Sequence, residues 1–258
     1  MPDKKSISIA LSGGGAKGIC HLGVLQAFEE EKIQIDALSG TSSGAMIAAL
    51  YAYGYSPKEI LNMVIKTSFF KLMKFTTTLN GLLTLDNLGK ILIKHMPEND
   101  FNVLKKPIYI AATELIKGKT VFFTEGELVK PILASCCVPV IFNPLKYKDG
   151  IYVDGGILKN LPAEILRENN YDKVIGSDCN PIDHNFALTG VKKLIERSLL
   201  LAINGNNASS KEFCNVVIEP PEMKKYSSFD LTKGKEIFEV GYIHTMDMVD
   251  EIKEKLNL

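Results

Sequence analysis

Twice near its start the chain passes from a short apolar run through a glycine-rich turn into a helix-like stretch. Ile7 to Leu11 reads as a buried strand that ends in Ser12-Gly13-Gly14-Gly15-Ala16-Lys17-Gly18, and Ala16 to Glu31 carries apolar residues near helical spacing. Ile35 to Leu38 then leads into Gly40-Thr41-Ser42-Ser43-Gly44 and the strongly apolar stretch Ala45 to Tyr53. A repeated strand, tight turn and helix predicts a layered α/β architecture rather than a bundle or a β-sandwich. The remaining chain continues the alternation. Gly54 suits a helix C-terminus, and Ser56, Pro57 and Glu59 form a helix start signal. Ile108 to Thr113, Thr120 to Phe123, Val174 to Ser177 and Val216 to Ile218 read as strands. Leu128 to Ala134, Ala163 to Glu168, Val191 to Ile203 and Ile237 to Leu256 read as helices. The expectation is a three-layer α/β/α fold around a mostly parallel central sheet, with residues 1–258 as a single domain.

Composition narrows the function. Thirty basic and thirty acidic residues cancel, so no electrostatic argument favours nucleic-acid binding. With 46% hydrophobic residues the chain has enough apolar surface for a substantial core, and it is not a disordered sequence. The five cysteines form no C-x-x-C pair, which argues against zinc-ribbon and thioredoxin-like chemistry and for reduced thiols. Ile7 to Leu11 is too short for the core of a signal peptide, and no apolar stretch approaches a membrane span. These features predict a cytoplasmic protein; they say nothing of its oligomeric state.

Three segments carry chemistry. The glycines from Gly13 to Gly18 lie between a strand and a helix, where free N–H groups and the positive helix end favour a negative oxygen. The P-loop pattern fails because Ile19 and Cys20 follow Gly18. The spacing satisfies G-x-G-x-x-G, but Asp36 falls at the start of the second strand instead of its end, against a dinucleotide site. The second segment, Gly40 to Gly44, fits G-x-S-x-G, which sets a serine, here Ser42, on a sharp strand-to-helix turn. The third, Asp154-Gly155-Gly156, follows the apolar Ile151-Tyr152-Val153 and by itself reads as a turn. A serine hydrolase ordinarily takes a histidine base. Of the four histidines, His21 reads as a structural, hydrogen-bonded residue and His95 and His244 as surface residues; His184 lies in a polar loop at a position that suits the order Ser, Asp, His.

Taken together, these motifs resemble the patatin-like phospholipase family, and most closely its short bacterial members of lysophospholipase or esterase type. The resemblance rests on Ser12 to Gly18 with Cys20-His21-Leu22-Gly23-Val24-Leu25, on Gly40 to Gly44, and on Ala134-Ser135 with Pro139, Phe142 and Pro144. It extends to Asp154-Gly155-Gly156 with Asn160-Leu161-Pro162, and to Gly241-Tyr242. It implies a Ser–Asp dyad without histidine, with Ser42 as nucleophile and Asp154 as its partner. It also implies an oxyanion hole at Gly13, Gly14 and Gly15, in which Gly14 and Gly15 supply N–H groups and Gly13 shapes the turn. Lys17, Gly18, Gly40, Gly44, Gly155 and Gly156 support these motifs. Lys17 stands where many members have Arg, and Ser12 where many have Gly or Asp. The implied activity is hydrolysis of acyl-lipid esters with no cofactor and no metal. An acyltransferase using the same nucleophile and a non-catalytic lipid-binding module stay open.

Two further segments have double readings. Lys66 to Phe75 combines three lysines with Phe69, Leu72 and Met73 on one helical face. It reads either as a helix packed on the core or as an interfacial segment touching a peripheral membrane surface. Cys136 and Cys137 read as buried packing residues.

Overall fold

In a computed structural model, residues 6–66, 74–75, 83–183 and 189–258 are described. Five strands run parallel: β1 (Ile7–Leu11), β2 (Ala37–Thr41), β5 (Ile108–Glu114), β9 (Lys173–Ser177) and β10 (Val216–Ile218). Three more, β6 (Lys119–Phe123), β7 (Leu145–Tyr147) and β8 (Gly150–Asp154), are antiparallel additions around β5. The short strands β3 (Lys74–Phe75) and β4 (Leu83–Thr84) pair separately. The sheet order is β10-β9-β1-β2-β5-β8-β7, with β6 also on β5. The sheet is therefore mixed, and the parallel expectation holds for its centre.

Helices cover both faces, so the central strands are buried throughout. Alternation along β1 sorts the two cores. Ile7, Ile9 and Leu11 pack in a cluster with Leu22 and Leu25 of α1 (Cys20–Glu30) and Ile47 of α2 (Ser43–Tyr53). Ala10 faces the opposite side and joins Leu161, Ala163 and Leu166 around the short α6 (Glu164–Glu168). The apolar α2 is buried on nearly every side, as a helix without a polar stripe must be.

Helix α3 (Pro57–Lys66) starts as expected, with Ser56 and Glu59 exchanging hydrogen bonds between backbone and side chain. The other helices are α4 (Asp86–His95), α5 (Val129–Ser135), α7 (Val191–Lys211), α8 (Gly234–Asp247) and α9 (Val249–Leu256). α1 and α8 cross so closely that a Cβ on Gly23 would strike the Phe238 carbonyl, and one on Gly241 the Cys20 carbonyl. The glycines at this crossing are those of the Leu22-Gly23 and Gly241-Tyr242 motifs.

Several boundaries differ from the sequence reading. The second strand is Ala37–Thr41, later than Ile35 to Leu38, because the Asp36 carboxylate accepts the Ile7 N–H and pairing with β1 begins at Ala37. Ser39 and Thr41 look like turn residues, yet both are buried in β2. Their hydroxyls are satisfied by the carbonyls of Pro162 and Lys159. A 3-10 turn, Gly15–Ile19, precedes α1, so that helix begins at Cys20 and not Ala16. The last helical stretch turns at Met248, which lets Ile252 and Leu256 reach the core. Most of Lys66 to Phe75 lies outside the described residues, as does His184. Among the described residues no helix is long and apolar enough to cross a membrane.

Candidate active site at the ends of the parallel strands

Strand pairing brings two distant segments together. β2 pairs with residues 108–111 of β5, and β6 takes the other edge of β5 at residues 110–114. β8 pairs with residues 112–114, so it must continue on the β2 edge. The two strands point at each other: Thr41 is opposite Ala111 and Asp154 is opposite Ala112. Ser42, the next residue after β2, therefore meets Asp154, the last residue of β8.

The turn at Ser42 is sharp. Its φ of 53° and ψ of −123° put a non-glycine residue in a conformation that costs roughly 1–3 kcal/mol. Its flanking glycines are required by close approach: a Cβ on Gly40 would lie 2.6 Å from the Ala45 nitrogen, and one on Gly44 2.6 Å from the Ser12 carbonyl. Ser135 pins the turn from below. Its hydroxyl accepts the Ser42 N–H at 2.7 Å and donates to the Ala111 carbonyl at 2.6 Å.

The Ser42 hydroxyl donates to the Asp154 carboxylate, whose Oδ1 also accepts the Gly156 N–H at 2.7 Å. Asp154 is only 7% exposed. Burial pushes its pKa up from 3.8 to about 6, and the hydrogen bonds from Gly156 and Ser42 pull part of the way back. Gly155 has no room for a side chain between the Ala111 carbonyl and Thr41 Cγ2.

The glycine loop faces this pair. The Gly13 N–H is occupied by the Asn160 carbonyl at 3.2 Å. The Gly13 carbonyl accepts Asn180 Nδ2 at 2.6 Å, and the Gly14 carbonyl accepts the Lys17 N–H at 3.2 Å. In a trans peptide the N–H points opposite to the carbonyl, so these anchors aim the Gly14 and Gly15 N–H groups the other way. Neither N–H has a partner among the described residues, and both glycines line the cavity beside Ser42. Lys17 is buried beneath the loop, and a Cβ on Gly18 would lie 2.7 Å from Ser43 Cβ at the start of α2. The first turn of α2 adds its positive end beside Ser42.

The Ser42–Asp154 pair and the loop open on a cavity of about 660 Å³, a size typical of sites for small organic ligands. Its walls are apolar: Met46 and Leu50 from α2, Leu88 and Leu92 from α4, and Ile141 and Phe142 before β7 are among the lining residues.

The histidines do not join the pair among the described residues. His21 is fully buried, with Nε2 donating to the Ser12 carbonyl and Nδ1 accepting from Ser177 Oγ; burial lowers its pKa to about 4. It braces the strand ends behind the loop. His95, read from sequence as a surface residue, is half-buried and lines the far part of the cavity because α4 turns its apolar face that way. Asp36 sits at the opposite end of the sheet from the glycine loop, which removes the geometric basis of a dinucleotide reading. No group of three His, Cys, Asp or Glu among the described residues is placed to hold a metal ion.

Four neighbours of the pair were given no part in the chemistry by the sequence reading. Ser135 anchors the elbow, and Asn180 anchors the loop. Asn160 is buried between the loop and the Ser42–Asp154 pair, its Nδ2 without an acceptor among the described residues. Cys136, expected to be buried packing, is half-buried in the cavity wall and hydrogen-bonded to the Ser42 side chain. Burial and the Asp154 charge push its thiol pKa well up, so it stays a neutral thiol beside Ser42.

The family model for patatin-like phospholipases matches residues 9–167. The chain is similar to Lysophospholipase nte1 of Neurospora crassa, with 24% identity over 282 residues, 97% of this chain and 19% of that protein. It is similar to an uncharacterised NTE family protein of Mycobacterium tuberculosis, with 29% identity over 184 residues, 67% of this chain and 30% of that protein. It thus spans less than a third of the length of these curated relatives. Among solved structures, VipD from Legionella pneumophila superposes with a TM-score of 0.55 and 18% identity, over 97% of this chain and 67% of that one, a likeness of fold. Since the family match runs over more than half of its length, from β1 into α6, the chain belongs to the patatin-like phospholipase family.

Proposed function

We propose that this protein hydrolyses acyl esters of lipids, phospholipids or lysophospholipids among them, through a Ser42–Asp154 dyad. The observation that carries the reading is a single constellation. A serine on a strained turn donates to a buried carboxylate, beside two unpartnered N–H groups, at one end of an apolar cavity. Family membership and the lysophospholipase relatives support the substrate class.

In this mechanism the Ser42 oxygen attacks the ester carbonyl while Asp154 takes the hydroxyl proton. With a pKa near 6, Asp154 is ionised at neutral pH and a stronger base than an ordinary aspartate. The carbonyl oxygen, now negative, receives the Gly14 and Gly15 N–H groups, which are already oriented and need no reorganisation. The proton passes from Asp154 to the leaving alkoxide. Asp154 then activates a water that releases the acyl group from Ser42. Met46, Ile47 and Leu50 follow Ser43 along one face of α2, so about 12 Å of apolar wall extends from the nucleophile and accommodates an acyl chain.

The test is labelling with a fluorophosphonate, which mimics the tetrahedral intermediate, followed by peptide mapping. The expected result is a single label on Ser42, lost in Asp154→Ala while the protein stays folded. A label on another residue, or undiminished labelling of folded Asp154→Ala, overturns the dyad.

A further inference from the structure

The cavity opens through a rim of apolar side chains that face solvent. Pro139 and Ile141 line it, and Val140 between them is 65% exposed. Val191, at the start of α7, lines the cavity and is 72% exposed; Phe229 lines it and is 37% exposed. A side chain that both lines a cavity and meets solvent lies at its opening.

The presentation of Val140 is enforced. Its φ of 71° is a conformation that β-branched residues rarely adopt. The segment is tied down on both sides: the Phe142 N–H bonds to the Val138 carbonyl at 2.9 Å, and the Leu83 N–H to the Ile141 carbonyl at 3.0 Å. Strain of this kind persists where surrounding bonds over-determine it. Here those bonds hold an apolar side chain out in water beside a cavity mouth.

The three rim side chains themselves carry no charge, although Lys192 and Asp230 adjoin two of them in sequence. No Lys, Arg or Glu is among the described residues that line the cavity, and the whole chain has no net charge. The rim side chains therefore complement an apolar partner, and nothing in the cavity lining selects for an anionic one.

We propose that the Val140, Val191 and Phe229 rim docks the protein on the surface of aggregated zwitterionic lipid. An acyl chain then passes from the lipid phase into the cavity without crossing water. The inference rests on the lipid-hydrolase reading for its sense, but its test does not need catalysis. The competing surface, the basic stretch from Lys66 to Phe75, calls for anionic lipid and salt-sensitive binding.

The test uses the full chain carrying Ser42→Ala, floated with phosphatidylcholine vesicles at about 0.1 and 0.5 M NaCl. Binding is expected at both salt concentrations, and adding Val140→Asp weakens it at least about tenfold through loss of apolar insertion. Aspartate tolerates positive φ better than valine, so this variant is expected to fold normally. In the Ser42 background, Val140→Asp slows hydrolysis of vesicle lipid by about tenfold or more and leaves hydrolysis of a soluble short-chain ester unchanged. No binding to phosphatidylcholine overturns the proposal, as does binding only to anionic vesicles or equal binding by Val140→Asp. Self-association abolished by Val140→Asp assigns the rim to a second copy and also overturns it. If wild type binds vesicles but hydrolyses neither substrate, the hydrolase reading fails and the docking surface stands.

Discussion

Replacing Asp154 with asparagine separates activity from stability in a way that depends on pH. The carboxylate has a pKa of about 6 in the folded chain, against 3.8 ordinarily, because it is buried. Each unit is worth about 1.36 kcal/mol, so holding the ionised form costs the fold about 3 kcal/mol at neutral pH. The sign is the reverse of the usual carboxylate. Below about pH 4 the group is neutral in folded and unfolded chains and costs almost nothing. As pH rises from about 4 to 6 the unfolded chain ionises first, and stability is progressively lost. Asparagine keeps an oxygen to accept the Gly156 N–H and never ionises. Urea unfolding of wild type and Asp154→Asn from about pH 4 to 8 should show a stability difference that grows in favour of the variant by roughly 2–3 kcal/mol and levels off above about pH 7. The matching gain in Tm is roughly 5–10 °C for a chain of this size. The variant's new amide hydrogens add a constant at most, so the pH dependence of the difference is the quantity to read. A difference that is flat across this range, or that moves against the variant as pH rises, refutes burial as the dominant influence on Asp154.

Because the proposed dyad needs Asp154 ionised, kcat/KM for a soluble ester should fall about tenfold per pH unit below pH ~6; a plateau continuing to about pH 4 contradicts the assignment. Ser42→Gly should be more stable than Ser42→Ala by about 1 kcal/mol or more in urea unfolding, the reverse of the usual order, because both lose the hydroxyl but only glycine relaxes at positive φ. Gly14→Ala places a methyl group against Cys179 Sγ and so displaces one of the two proposed oxyanion donors. Its kcat and its rate of phosphonate labelling should drop in parallel by roughly 100- to 1000-fold.

The parts of this molecule that were legible in its sequence are those in which a local backbone requirement must be met by one residue type. Gly40 and Gly44 are glycines because the backbones of α2 and the first loop leave no room for Cβ, and that requirement is written within five residues. The glycine loop is legible for the same reason, and so are the central strands, whose apolar runs are buried on both faces. Ser39 and Thr41 misled the reading of β2 because their polarity is answered by the Pro162 and Lys159 carbonyls, more than a hundred residues away. Cys136 looked like packing because a thiol has no local signature of its neighbours; only the fold puts it against Ser42.

The contact between Ser42 and Asp154 itself is a property of sheet pairing. It exists because β5 is longer than β2, which leaves residues 112–114 free on the shared edge for an antiparallel strand to dock end-on against the elbow. A parallel strand there would run the same way as β2 and could not end facing its terminus. The three antiparallel strands that break the parallel pattern thus do the positioning: they deliver a carboxylate, buried by the strands that carry it, to the end of a parallel strand where a helix N-terminus and the glycine loop already supply N–H donors. Burial raises the basicity of that carboxylate and destabilises its charged form through one and the same physical effect. The reactivity of the site and its cost to the fold should therefore rise and fall together in any variant that changes how deeply Asp154 is buried.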